Sequence, residues 1–335
     1  MKKRPYATEP NFTSHETEAI NANLDVRFFF GPHRSGEDAL PIVPLIANAD
    51  IVVPEFGGWN ARALQAANVY AATRETKAGM LPSQRELGQE FAQHIHQYGD
   101  FVKALYKPLR NSGKEIAFID IGLDHPSFRQ LYESAGDNYF GSSVLEGATT
   151  GDFDKDLEVY DSNFQEVAPM IRERELEIRS NLCRLLARKA LENRKYESKP
   201  TSILPILGHG HSGMVAWLNS MDVNADAAPE SDLAVDTYVC IVQEAMEGRR
   251  PDKITLSRAL LSGIFNLAAE HHLEEFSQTS QMTAKLSKAA IARYFAESMD
   301  IHDMRYIWEG PEDQLGTRFD KIKERKGLTK YPISI

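Results

Sequence analysis

Four short apolar runs punctuate the first two-thirds of the chain, and each is stopped by glycine or proline. They are residues 25–30 (DVRFFF) before Gly31-Pro32, 50–54 (DIVVP) before Gly57-Gly58, 115–121 (EIAFIDI) before Gly122, and 202–207 (SILPIL) before Gly208. Apolar character that is continuous rather than alternating predicts strands covered on both faces. Between these runs the period lengthens to that of helices. One helix is expected over 59–77. A second opens on Ser83 and Glu86 in a capping-box spacing and carries Leu87, Phe91, Ile95, Tyr98, Val102 and Leu105 toward a stop at Asn111-Ser112-Gly113. A long helix is expected over about 165–195, and another from Gly213. Buried strands alternating with helices require parallel crossovers. The expected fold class is therefore α/β, with a mainly parallel central sheet flanked by helices.

The remaining segments read differently. Residues 1–23 are polar and suggest a flexible arm, and 137–161, rich in Gly, Ser, Thr and Asp, suggests a mobile loop or lid. Residues 222–231 form an Asn/Asp/Ala/Pro break, and 232–300 read as three helices without strand signals. The tail from Gly310, rich in Lys and Arg, reads as a solvated surface strap. This gives an arm (1–23), an α/β core (24–222) and a helical C-terminal extension with a basic tail (223–335). Stripes such as Leu256, Leu260, Ile264 and Leu267 suit core or dimer contacts, so a homo-oligomer stays open.

Composition narrows the partners. With 38 Lys+Arg against 48 Asp+Glu among 335 residues, the formal net charge is −10. An acidic chain is a poor match for phosphate, which disfavours nucleic acid. The basic start, Met1 to Arg4, is followed by polar sequence with no apolar signal core, and no run approaches the ~20 apolar residues of a membrane span. Cys183 and Cys240 both fall in helical patterns and read as reduced thiols. The expectation is a cytoplasmic protein acting on a small-molecule or peptide substrate, with no membrane partner.

In a parallel sheet, ligands gather beyond the carboxyl ends of the strands. Here those ends carry His33, Glu55, Asp120 (with Asp124 and His125 just beyond), and His209 with His211. The turn Gly208-His209-Gly210-His211-Ser212-Gly213 sets two imidazoles between glycines, which let a backbone come close to a ligand. The long helix adds Arg174. Its apolar stripe Val167, Ile171, Ile178, Leu182, Leu185 has a gap of seven that Arg174 fills, and a core-facing guanidinium needs an anion. Glu55, Asp120 or a substrate oxyanion would serve.

In this order, Gly31-Pro32-His33, Pro54-Glu55, Ile119-Asp120, Glu173-Arg174 and Gly208-His209-Gly210-His211 resemble the TraB/Tiki superfamily, which also takes in erythromycin-esterase-like and ChaN-like proteins. The resemblance spans about residues 25–220. It departs at the first motif, where the glycine is two rather than three residues before His33, and after Glu55, where Phe56-Gly57-Gly58 replaces an acidic residue. It departs again after Glu173-Arg174, where Glu175 is not the usual residue. The resemblance implies that His33, Glu55 and His211 line a hydrolytic centre supported by Arg174, with Asp120 and His209 nearby. Two mechanisms follow from it. In one, His33, Glu55 and His211 hold a divalent ion (Mn²⁺, Co²⁺ or Zn²⁺) that activates water. In the other, a histidine activates water without metal and Arg174 stabilises the oxyanion.

Two rival readings use the same residues. Gly210-His211-Ser212-Gly213-Met214 resembles a G-x-S-x-G nucleophile elbow with Ser212 as nucleophile, and His271, His272 or His302 would complete a triad. Met214, however, stands where that motif wants a small residue. The other rival is a non-enzymatic protein that binds haem or a peptide signal, as some relatives are thought to do.

Overall fold

The structure is a computed structural model, described over residues 9–31, 33, 36–55, 99–121, 150–193, 199–231, 237–277, 288–310 and 314–328. The helix expected at 59–77, the start of the next one, Asp124, His125 and most of the 137–161 stretch lie outside these residues.

The chain divides into two compact units, Met1–Asp137 with Glu173–Leu233, and Asn138–Arg172 with Ala234–Ile335. The first unit is built on a five-stranded sheet in the order β3-β2-β4-β1-β5, with every pairing parallel. The strands are β1 (Leu24–Gly31), β2 (Ile51–Pro54), β3 (Glu115–Ile116), β4 (Thr201–Gly208) and β5 (Ala225–Ala227). The α/β class read from the apolar runs is the class observed. The fifth strand falls in the segment read as a break, because three residues at a sheet edge leave no apolar run to recognise. Its Ala225 is nonetheless buried beside Val26.

Residues alternate between the two faces of this sheet. Val26, Phe28, Phe30, Ile51, Val53, Ile203 and Leu207 pack against α1 (Ser14–Asn23), the later part of α4 (Phe153–Asn193) and α5 (Gly213–Asn219). Phe29, Val52, Leu204 and Ile206 pack against α2 (Ile42–Asn48) and α3 (Gly99–Asn111) on the other face. Each fully buried side chain of this size contributes ~1.5–3 kcal/mol, so the three middle strands are anchored on both sides. The arm expected at 1–23 is ordered from Ser14 as α1, capped by a reciprocal Thr13–Glu16 box and held by Ala19 and Ile20.

The second unit is helical, as expected for the C-terminal part. It holds α4 as far as Arg172, then α6 (Thr237–Met246), α7 (Lys253–Leu260), α8 (Ser262–Ser277), α9 (Lys288–Ser298), α10 (Ile301–Trp308) and α11 (Leu315–Lys326). Two expectations are corrected here. The long helix starts at Phe153, twelve residues before the expected Gln165, so the end of the 137–161 stretch is helix and not loop. The buried apolar face of this first part is Phe153, Leu157, Tyr160 and Phe164, spaced four, three and four apart, a helical stripe that the loop-like composition of 137–161 masked. The basic tail is likewise a helix and not a solvated strap, because Phe319 and Ile322 are buried and Phe319 packs edge-on to Phe265 and Phe295. Among the described residues, no helix is long and apolar enough to cross a membrane.

Candidate active site

Register brings the strand ends together. Gly31 pairs with Gly208 and Pro54 with Ile206, and the Glu55 N–H donates to the Ile206 carbonyl at 2.8 Å. The residues that follow β1, β2 and β4 therefore emerge at one edge of the sheet, beside the strand that the chain inserts last between β1 and β2. That is the crevice in which open α/β sheets bind ligands.

Glu55 is the hub. Its Oε1 accepts from Arg174 Nη2 at 2.9 Å and from His211 Nε2 at 3.0 Å, while Oε2 accepts from the Gly208 N–H at 2.5 Å. Each cation has a second carboxylate behind it. Arg174 Nε donates to Asp120 Oδ1 at 2.9 Å and Nη2 to Asp120 Oδ2 at 2.5 Å, a two-point grip on a buried carboxylate that also accepts from the Ile121 N–H. His211 Nδ1 lies 2.7 Å from Glu175 Oε2, and Glu175 Oε1 accepts from Arg179 Nε at 2.9 Å. The Arg179 guanidinium in turn lies 5.0 Å from the centroid of the Trp217 ring and reaches Glu9 at 3.5 Å. Glu55, Asp120 and Glu175 are thus matched by Arg174, His211 and Arg179.

The protonation states follow from this pairing. Burial alone would lower the His211 pKa, but Glu55 and Glu175 outweigh it and carry the imidazole up to about 10. Burial likewise works to raise the two carboxyls. The His211 cation, with Arg174 at Glu55 and Arg179 at Glu175, overcomes it and holds Glu55 well below the usual carboxylate range and Glu175 below it too. Ionised carboxylates only accept, so both ring nitrogens of His211 donate.

His33 is the exception. Its ring stacks on the Phe101 ring, with centroids 4.2 Å apart and planes 15° apart. Although the residue is only half-buried, its Nε2 is sealed from solvent and has no hydrogen-bond partner among the described residues. Burial pushes its pKa down to about 4, Glu55 pulls the other way, and His211 and His209 both oppose a second positive charge. His33 is therefore a neutral imidazole at pH 7. It shares with Glu55 the space over Gly208, where an added Cβ would lie 3.2 Å from Glu55 Oε2 and 3.9 Å from the His33 ring.

Of the residues expected from sequence, Glu55, Asp120, Arg174 and His211 form one bonded cluster, and His33 adjoins it. His209, in the 3₁₀ turn Gly208 leads into, stands within electrostatic reach of His33. Sequence reasoning missed Glu175 and Arg179. A signal for Glu175 was present, because the gap of seven in the helical stripe holds two inward positions, three and four residues after Ile171, and both are filled by charge. Arg179 follows at i+4 from Glu175.

These donors do not fit a divalent cation as they stand. A metal-bound histidine must offer a lone pair, whereas both His211 nitrogens donate. Glu55 is already spanned by two cations and an N–H. Among the described residues no group of three His, Cys, Asp or Glu is disposed to hold a metal. The serine elbow is not matched either. Ser212 has ordinary helical dihedrals (φ −59°, ψ −21°) and not the strained turn of a nucleophile elbow. His302 is exposed on α10, and the side chains of His271 and His272 lie outside what is described.

No protein-family model, no curated protein and no solved structure matches the chain.

Proposed function

We propose that this protein is a metal-free hydrolase of ester or amide bonds, with His33 as the base that activates water. The observation that carries this reading is the neutral imidazole of His33, its Nε2 buried and unpartnered among the described residues, beside a cluster in which Glu55, Asp120 and Glu175 are matched by Arg174, His211 and Arg179. The residues and their order resemble the TraB/Tiki and erythromycin-esterase-like proteins, and of the two mechanisms this resemblance implies, the metal-free one is that suggested by the esterase-like proteins. In the reaction, Nε2 of His33 takes a proton from water as the oxygen attacks the substrate carbonyl. The same imidazolium then returns the proton to the leaving alcohol or amine as the tetrahedral intermediate collapses. Glu55 favours the charged form of His33 in between. Arg174, gripped by Asp120, serves to hold Glu55 and not the oxyanion. Cys183 and Cys240 are not joined in a disulfide, which suits a reducing cytoplasm.

The test is hydrolysis of a series of p-nitrophenyl esters and anilides by metal-chelated protein. Turnover that falls ~10²–10⁴-fold in His33→Ala supports the reading, and turnover unchanged in that variant overturns it. Activity that appears only with added Mn²⁺, Co²⁺ or Zn²⁺ would return the centre to the metal mechanism. Fluorophosphonate labelling abolished by Ser212→Ala would assign it to a serine hydrolase.

A further inference from the structure

We propose that Glu175 is a positioning residue that takes the Nδ1–H of His211 and so fixes the ring, holding the Nε2–H that Glu55 accepts in one direction. The argument is geometric. His211 has one nitrogen on each of two carboxylates, at 2.7 Å to Glu175 Oε2 and 3.0 Å to Glu55 Oε1, and its ring cannot turn without losing both. Glu175 is itself immobilised from behind by the buried Arg179, whose guanidinium is seated over Trp217.

Arg174 and Glu175 are consecutive residues on α4, yet both act on the same oxygen of Glu55. Arg174 donates to Oε1 directly, and Glu175 directs His211 Nε2–H to it. Each of the two arms ends in a carboxylate, Asp120 on one side and Glu175 on the other. With Oε1 occupied by both, and Oε2 held by the Gly208 N–H, the carboxylate plane of Glu55 is set relative to His33. A buried carboxylate–guanidinium pair of this kind is a poor source of net stability. Its place next to the site is accounted for by orientation, the role a carboxylate behind a histidine plays when it fixes the direction of the ring.

The catalytic consequence rests on the hydrolase reading, but the geometry does not, and the experiment separates them. Side-chain ¹⁵N–¹H spectra of histidine-labelled protein at pH 7, assigned by the signals missing from His211→Asn, should show two protonated ring nitrogens at His211. One protonated nitrogen in the wild type would overturn the proposal without any variant having to fold. In Glu175→Gln the Nδ1–H signal should be lost or displaced, whereas in His33→Ala both should remain; a spectrum unaltered by Glu175→Gln overturns the proposal as well. With p-nitrophenyl acetate as probe, Glu175→Gln should lower kcat on the order of 100-fold at unchanged KM. Two protonated nitrogens in a wild type that hydrolyses no ester would uphold the positioning and remove the hydrolase reading.

Discussion

Glu55 and His211 meet through a single contact, Oε1 to Nε2 at 3.0 Å, and the proton in it belongs to the imidazole. Because Arg174 donates to the same oxygen, Glu55 neutralises two cations at once. Removing it leaves Arg174 with Asp120 alone and His211 with Glu175 alone. Truncating one partner of a buried charge cluster costs ~3–5 kcal/mol, since the remaining charges lose part of their pairing without regaining water. Glu55→Ala should therefore lower unfolding stability by about that much in urea titrations. Glu55→Gln, which keeps the shape and one acceptor oxygen, should lose less. Equal midpoints for wild type and Glu55→Ala would show that the cluster is not closed in solution.

The two histidines predict a stability profile with slopes of opposite sign. The pKa of His33 in the folded chain is depressed to about 4 from 6.5, so between those values the unfolded state binds the extra proton and stability rises with pH. That of His211 is raised to about 10 from 6.5. Its contribution is fully present below 6.5 and is lost as pH rises through 10. The melting temperature should accordingly peak near pH 6–7. His33→Gln should flatten the acid limb between pH 4 and 6.5 and leave the alkaline limb alone. His211→Asn should flatten the alkaline limb and also weaken the acid one, because His211 is what chiefly lowers Glu55 and Glu175. Glu55 and Glu175, with lowered pKa values, add an acid loss below about pH 4.5 that survives in His33→Gln.

The core strands were legible because a stretch buried on both faces has no polar positions to interrupt it, as in residues 28–30 and 203–207. Their ends were legible for a related reason: His33, Glu55, Asp120 and His211 stand where an apolar run stops and the chain turns. Arg174 could be found as a break in a helical stripe. Glu175 stands in the same gap and was legible in the same way, whereas Arg179 could not be separated from an exposed helical face. Its inward direction depends on the helix's rotation, which the stripe fixes only to within one residue. The early start of α4 was obscured by the Gly-, Ser-, Thr- and Asp-rich segment that runs into it, and the helix in the basic tail was hidden by polar sequence. Leu315–Lys326 buries Phe319, Ile322 and the charged Arg318 while its other charged residues cover the rest. The protonation of His211 was out of reach altogether, since it depends on two carboxylates from different elements meeting one ring.

Arg174 offers a test of geometry apart from charge. Its guanidinium spans Asp120 through two nitrogens and still reaches Glu55. A lysine ammonium is a point charge that cannot reproduce this fork. Arg174→Lys should thus behave as a disruptive change, destabilising by ~1–3 kcal/mol through the imperfectly paired Asp120 and Glu55. Differential scanning calorimetry would read it as a lowered melting temperature, and a variant that melts with the wild type would mean that charge alone suffices there.

Gly208 is where packing limits the site most directly. Its backbone dihedrals (φ −66°, ψ 160°) suit any residue, so the glycine is not needed for conformation. The need lies in the space above it, because a Cβ there would press on Glu55 Oε2 at 3.2 Å and approach the His33 ring at 3.9 Å. The same carboxylate oxygen is bound to the Gly208 N–H, so it cannot retreat without losing that bond. Gly208→Ala should cost ~1–3 kcal/mol by overpacking and displace Glu55 relative to His33. Ester turnover should fall by more than the loss of stability explains at 25 °C, where nearly all of the variant is still folded. A variant with wild-type turnover and a lowered melting temperature would separate packing at Gly208 from the chemistry at His33.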